Sequence, residues 1–163
     1  MFSDYTIRRG TTTEEKAYRK TSLRGYSFSR GDFLFLSAVL MIVSSAWFLA
    51  MFVTSVQALQ GIYTWYPQFV AQSWFVYDEL FAVFSLLGLL WGFMSAGYML
   101  SNRNSIVTLI IAILCVISGA GLSITSLIAP LDNLTHAIVY YFLPCFVVPL
   151  AGMLLFSYYG RAL

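Results

Sequence analysis

The sequence is poor in charge, and its few charged residues are unevenly placed. Only 10% of the 163 residues are Asp, Glu, Lys or Arg, against about 25% in soluble globular domains. Four long stretches contain none of these and no histidine: 33–77, 80–102, 104–131 and 137–160. A bilayer core accommodates roughly 20 apolar residues per helix and disfavours an ionised side chain by about 2.5 kcal/mol or more. With 60% hydrophobic residues, the chain is predicted to be an integral, multi-pass membrane protein.

Groups that could hold a metal or perform chemistry are also scarce. The two cysteines, Cys115 and Cys145, lie inside apolar stretches and form no CxxC motif, so they are expected to behave as small hydrophobic residues. His136 is the only histidine and cannot by itself complete a haem or zinc site; it is expected to pack or cap at the interface. Asp78 and Glu79 are adjacent, so on a helix they point about 100° apart. No stand-alone enzyme and no cofactor of the protein's own is expected.

The uncharged stretches predict an all-α fold, namely a four-helix (tetraspan) transmembrane bundle. The predicted helices lie at about 33–57, 78–101, 104–129 and 136–158. Their short connections make the second and third helices, and the third and fourth, antiparallel neighbours. Residues 1–31 form a basic, polar N-terminal tail that is expected to be disordered on its own. The chain therefore divides into this tail and a transmembrane domain over residues 32–163.

Positive charge is confined to one side of the predicted topology. Seven of the nine Lys and Arg residues precede the first helix. The turn between the second and third helices carries Arg103, and the C-terminus carries Arg161, whereas the connections at 58–77 and 130–135 carry neither Lys nor Arg. Positive residues remain on the side from which a chain is inserted. Both termini are therefore predicted to be cytoplasmic, or on the matrix side in a mitochondrion.

Small residues recur at four-residue spacing on three of the helices. The three stripes are Gly88, Gly92 and Ala96; Cys115, Gly119 and Ser123; and Ala46, Ala50 and Thr54. This spacing keeps the members of a stripe on one helix face, where another backbone can approach closely. The stripes are predicted to be helix-packing surfaces, either for a partner subunit or within the four-helix bundle itself.

The fourth helix contains two prolines, Pro144 and Pro149, which are expected to kink it. In an α-helix they would leave the carbonyls of Tyr140 and Cys145 without their usual amide donors. A free carbonyl in lipid needs another donor or a ligand. One hypothesis is a cofactor, lipid or ion site at this break. The alternative is a kink whose carbonyls are satisfied by neighbouring Ser or Tyr groups.

The outer connection between the first two helices is dense in aromatic residues. Trp65, Tyr66, Trp74 and Tyr77 are predicted to be interfacial anchors, because Trp and Tyr favour the headgroup level of a bilayer. If Pro67 opens a short helix, that helix lies on the outer leaflet or docks onto the outer surface of a partner.

These features favour a non-catalytic accessory or structural subunit of a larger membrane complex. Small uncharged subunits of this kind abound in respiratory and other energy-converting assemblies, which makes such an assembly one candidate setting that the sequence itself does not identify. Its partners would be other membrane subunits and lipids, with bound lipid and no nucleic acid. One alternative is a homo-oligomeric small channel or carrier. Another is a tetraspan scaffold that organises lipid and protein. A transporter coupled to protons or ions is not favoured, because no ionisable side chain falls at membrane depth.

Overall fold

Four long helical spans make up the fold. The structure, a computed structural model, describes residues 21–23, 26–65, 75–101, 105–128 and 134–159. The first three spans are α1 (Arg30–Trp65), α2 (Phe75–Ser101) and α3 (Ser105–Ile128). The fourth span is continuous through α4 (Leu134–Ala137), a π-helical segment π1 (Ile138–Val147) and α5 (Val148–Tyr159).

Each span contains a segment long and apolar enough to cross a membrane. These segments are Gly31–Gly61, Val76–Ser101, Ser105–Ile128 and Ile138–Tyr158. The predicted all-α tetraspan bundle is therefore confirmed, and the chain is an integral multi-pass membrane protein.

The end of the bundle that carries Ser101 and Ser105 is called the inner end, and the end where α1 finishes at Trp65 is called the outer end.

The first helix begins earlier and ends later than predicted. At its start, the backbone N–H of Ser29 donates to Asp32 Oδ2 at 2.7 Å, and the N–H of Asp32 donates to Ser29 Oγ at 3.3 Å. This reciprocal capping box fixes the helix start at Arg30. At its end, the described helix extends to Trp65.

The described part of the N-terminal tail forms a short hairpin. Two short strands, β1 (Thr21–Leu23) and β2 (Tyr26–Phe28), pair antiparallel, with Thr21 opposite Phe28 and Leu23 opposite Tyr26. Aromatic and β-branched residues favour such a ladder. The hairpin lies directly before the capping box of α1.

The four spans form a closed antiparallel bundle. Each span packs against its neighbours in sequence, and the fourth span also packs against α1, so that α1 and α3 lie at opposite corners. Large apolar side chains fill the centre, all 0 to 1% exposed: Met41, Phe48, Met99 and Leu122. With Cys145 and Phe156 of the fourth span, they belong to one continuous core to which all four spans contribute.

The outside of the bundle is more apolar than much of its inside. Large side chains such as Ile106, Ile117 and Ile128 of α3 are 57 to 70% exposed. The buried positions instead include many hydroxyls, among them Ser37, Ser118 and Thr125. Water would not tolerate so large an apolar exterior, whereas lipid is as apolar as these side chains.

Glycine allows the closest approach between spans. A Cβ on Gly119 of α3 would overlap the backbone carbonyl of Cys145 on the fourth span, and a Cβ on Gly121 would overlap the ring of Phe84. Gly97 of α2, by contrast, faces open space with nothing within 4 Å of a Cβ. The packing of α3 therefore depends on the absence of a side chain at specific positions.

We expect Gly119→Ala to lower the free energy of unfolding by about 1–3 kcal/mol, because the backbone of the fourth span must move away from the added methyl group. Gly97→Ala, which adds the same methyl group on an open face, should cause no loss. Both variants can be compared by equilibrium unfolding in detergent micelles. Equal stabilities for the two variants would contradict the close α3 contact.

Candidate functional site at the proline turn

The small-residue stripe of α2 packs inside the bundle. A Cβ on Gly88 would overlap the ring of Phe48, and one on Gly92 would overlap Ser45 Oγ, so both glycines face α1. The same Cβ on Gly92 would stand 3.5 Å from Cys115 Sγ on α3. Ala96, the third member, is 2% exposed. This stripe is therefore occupied by contacts with α1 and α3.

The stripe of α3 is also occupied within the bundle. Cys115 and Cys145 are both free thiols and fully buried. Cys115 Sγ lies 3.6 Å from the carbonyl oxygen of Gly88. Gly119, one turn further along α3, packs against the backbone carbonyl of Cys145. Ser123 Oγ donates to the carbonyl of Gly119 at 2.8 Å. The cysteines thus pack as small side chains where α2, α3 and the fourth span meet.

The third stripe differs, because it faces outward. Ala46, Ala50 and Thr54 of α1 are all exposed. The hydroxyl of Thr54 donates to the carbonyl of Ala50 at 2.8 Å. We call these three residues the outward stripe.

The two prolines lie where the fourth span changes from π-helical to α-helical geometry. In a π-helix, each amide bonds to the carbonyl five residues earlier, and the N–H of Val148 does so with Leu143. The next residue, Pro149, has no N–H to give to Pro144, five residues before it. In this register Pro144 frees the carbonyl of Val139 rather than that of Tyr140. The carbonyl of Pro144 lacks a backbone donor, because Val148 bonds to Leu143 and Pro149 has no N–H. We call the segment from Pro144 to Pro149 the proline turn.

A hydroxyl of α1 replaces the missing donor. Ser44 Oγ donates to the carbonyl of Pro144 at 3.0 Å. Many other hydroxyls in the spans instead bond to a carbonyl of their own helix, as Ser45 does with Met41 at 2.7 Å. Ser44 is fully buried, so its bond to the fourth span lies away from any competing solvent.

An indole of α1 holds a second carbonyl, one turn further towards the outer end. Trp47 Nε1 donates to the carbonyl of Tyr140 at 2.7 Å. The rings of Trp47 and Tyr140 also stack, with centroids 6.3 Å apart and an angle of 27° between their planes. Ser44 and Trp47 are three residues apart, so they share the face of α1 that meets the fourth span.

Sequence reasoning identified the need for donors but missed the residues that supply them. Ser44 agrees with the predicted type of donor, while the indole of Trp47 was not considered. The sequence does show a hydroxyl and an indole, Ser44 and Trp47, three residues apart on one face of α1. Pairing them with prolines about 100 residues away, however, requires the register of α1 against the fourth span.

The predicted interfacial anchors are only partly described. Tyr77 of α2 is half-buried and packs against the core. Trp65 is the last residue of α1, whereas Tyr66, Pro67 and Trp74 lie outside the described residues. The predicted helix after Pro67 and the side chain of His136 likewise lie outside what the structure describes.

Two further features concern ligands. Among the described residues, no group of three or more His, Cys, Asp or Glu side chains is placed to hold a metal ion. An open groove of about 360 Å³ lies near the inner end of α2, lined by Phe93, Met94, Gly97, Tyr98 and Ser101.

Comparison with known proteins identifies no relative: no protein-family model, no curated protein and no solved structure matches the chain.

We expect the Ser44 hydrogen bond to contribute to the free energy of unfolding only while residue 149 is proline. Ser44→Ala should lower the free energy of unfolding by about 0.5–1.5 kcal/mol, because it leaves the Pro144 carbonyl without a donor. In a Pro149→Ala background the restored amide can serve that carbonyl, so the cost of Ser44→Ala should largely vanish. A double-mutant cycle measured by unfolding in micelles checks this.

Ser45→Ala is the matched control for this cycle, since Ser45 is equally buried but bonds within α1. Its cost should be the same with proline or alanine at position 149. If the cost of Ser44→Ala is also independent of position 149, the assignment of Ser44 as the replacement donor is wrong.

Proposed function

We propose that this protein is a non-catalytic structural subunit of a larger membrane complex, in which it packs against partner transmembrane helices and stabilises them. Energy-converting assemblies, respiratory complexes among them, are the proposed setting. Its partners are other membrane subunits and the surrounding lipid. In this proposal the tail and both termini face the cytoplasm, or the matrix in a mitochondrion.

The outward stripe is the observation that carries the proposal. Small residues at four-residue spacing promote close helix contact in membranes. The equivalent stripes of α2 and α3 already have contacts within the bundle, at Gly92 and Gly119 for example. Ala46, Ala50 and Thr54 are exposed, so this stripe offers a helix-packing surface that the bundle itself does not use.

The packing of the interior supports a structural subunit over a channel formed by a single bundle. Met41, Phe48, Met99 and Leu122 fill the centre with 0 to 1% exposure. Buried hydroxyls such as Ser118 and Ser123 are bonded to carbonyls of their own helix. A conducting path would have to displace these side chains and break these bonds.

Bound lipid is part of the proposal. The groove at Gly97 opens on the side of α2, between the exposed side chains of Phe93 and Met94. An acyl chain of a membrane lipid is the natural occupant of such an apolar groove inside the bilayer.

Extraction in mild detergent followed by native mass measurement tests the proposal. We expect the full chain to copurify with larger subunits in a defined stoichiometry. Ala46→Leu combined with Ala50→Leu should at least halve the amount of chain in that assembly, because the added side chains prevent close approach along the outward stripe. Val83→Leu with Val107→Leu enlarges exposed valines on α2 and α3, away from the outward stripe, and should leave the assembly intact.

Two results would argue for the other functions. A ring composed of this chain alone would indicate the homo-oligomeric channel or carrier. A monomer that retains only lipid would indicate the tetraspan scaffold. Either result would overturn the accessory-subunit proposal.

A further inference from the structure

The groove on α2 runs from the inner end of that helix towards the middle of the bilayer. It has a volume of about 360 Å³, and its lining residues form two rows at four-residue spacing: Phe93, Gly97 and Ser101 in one row, Met94 and Tyr98 in the other. Ser101 is the last residue of α2. At a rise of about 1.5 Å per residue, the rows extend over about 12 Å. Half the hydrocarbon core of a bilayer measures about 15 Å, so the groove covers most of the depth of one leaflet.

Glycine creates the gap in this surface. A Cβ on Gly97 would have nothing within 4 Å, whereas Phe93 and Met94 beside it are large and are 51% and 44% exposed. On the opposite face of α2, Ala96 and Met99 are buried in the bundle. The groove therefore opens away from the core, towards lipid.

Positive charge is concentrated at the inner end of the bundle. All nine Lys and Arg residues join the spans there, because seven precede or begin α1, Arg103 lies in the turn after α2, and Arg161 follows α5. The acidic residues that join the same end are Asp4, Glu14, Glu15 and Asp32. Nine basic residues against four acidic ones give this end a net charge of +5, whereas the outer end has three acidic residues and no Lys or Arg. A headgroup with a net negative charge is thus complementary to the inner end and not to the outer end.

Arg103 is the basic residue nearest to the groove along the chain. It follows Ser101 by two residues, and consecutive Cα atoms are about 3.8 Å apart, so the two Cα atoms lie within about 7.6 Å of each other. An arginine at that distance has a side chain long enough to reach the mouth of the groove, and guanidinium groups bind phosphate through paired N–H donors. The apolar groove and the positive charge therefore lie within the dimensions of one phospholipid.

We propose that the groove on α2 binds an acyl chain of an anionic phospholipid, whose headgroup is held at the inner end by Arg103. The net positive charge of this end selects a negative headgroup, and the gap at Gly97 gives the lipid a fixed position on the bundle. This inference rests on the bound lipid of the proposed function and specifies its class and its site. The role as a structural subunit does not depend on it.

Native mass measurement of the isolated full chain tests the choice of lipid. Phosphatidylglycerol, which is anionic, and phosphatidylcholine, which has no net charge, are offered at equal concentration with identical acyl chains. We expect the chain to retain about five times more phosphatidylglycerol, which corresponds to the effect of one basic residue near a membrane surface. Arg103→Gln should remove this preference. Arg161→Gln removes the same charge beside α5, at the corner of the bundle diagonal to α2, and should preserve it.

Gly97→Leu tests the groove in the same measurement. It should at least halve the amount of phosphatidylglycerol retained, because the leucine side chain fills the gap that the acyl chain would occupy. Gly61→Leu is the matched control, since Gly61 of α1 also has nothing within 4 Å of a Cβ but lies near the outer end. This control should leave the retention unchanged.

Three results would each overturn the proposed site: equal retention of the two lipids, retention that Gly97→Leu does not change, and a preference that Arg161→Gln abolishes as fully as Arg103→Gln. The last would show that charge anywhere at the inner end attracts the lipid, without a site on α2. Because the chain is measured alone, these results are separate from its copurification with larger subunits, and either proposal can fail while the other stands.

Discussion

Lipid offers no hydrogen-bond partner to a polypeptide backbone, and the rest of this structure depends on that constraint. Helices satisfy it along most of the chain, and hydroxyls in the spans add bonds to the carbonyls of their own helix, as Ser118 does with Leu114. The exception is the proline turn, where Pro149 has no amide to give to the carbonyl of Pro144. Ser44 of the first helix supplies that donor, and one turn away Trp47 adds a second bond between the helices by donating to the carbonyl of Tyr140. A local defect in one helix thereby becomes a specific attachment between two.

Close contact between small residues provides the second form of cohesion. Burying apolar surface gives little advantage when lipid is the alternative, so the spans associate by packing backbone against backbone. Gly119 against the carbonyl of Cys145 is the tightest example, and Gly92 against Ser45 is another. With these stripes occupied, the outward stripe of Ala46, Ala50 and Thr54 is the place where the same kind of contact can be made with another protein. The proposed role as a structural subunit follows from this difference between inner and outer stripes.

The four spans could be predicted from the sequence because charged residues interrupt the apolar stretches at almost every connection. The ends of α1 were harder to predict, because the capping box at Ser29 and Asp32 lies before the first long apolar stretch and the helix continues to Trp65, past the predicted end. The π register could not be predicted, since hydropathy does not distinguish a bond across four residues from one across five. The prolines were singled out from the sequence, and the structure places them on either side of the boundary between π1 and α5. Their partners Ser44 and Trp47 are separated from them by about 100 residues and became apparent only from the register between α1 and the fourth span.

The central claim is that lipid is the solvent of four spans, so that the chain crosses the bilayer four times and returns to the side where it began. Single cysteines at Thr12 in the tail, Asn102 in the turn before α3 and Gln72 in the connection after α1 can be labelled with a membrane-impermeant maleimide in oriented vesicles. The native thiols are buried and should contribute little background. The account predicts that the cysteines at 12 and 102 react from the cytoplasmic (or matrix) face and the one at 72 from the opposite face. Labelling of positions 12 and 102 from opposite faces would contradict it.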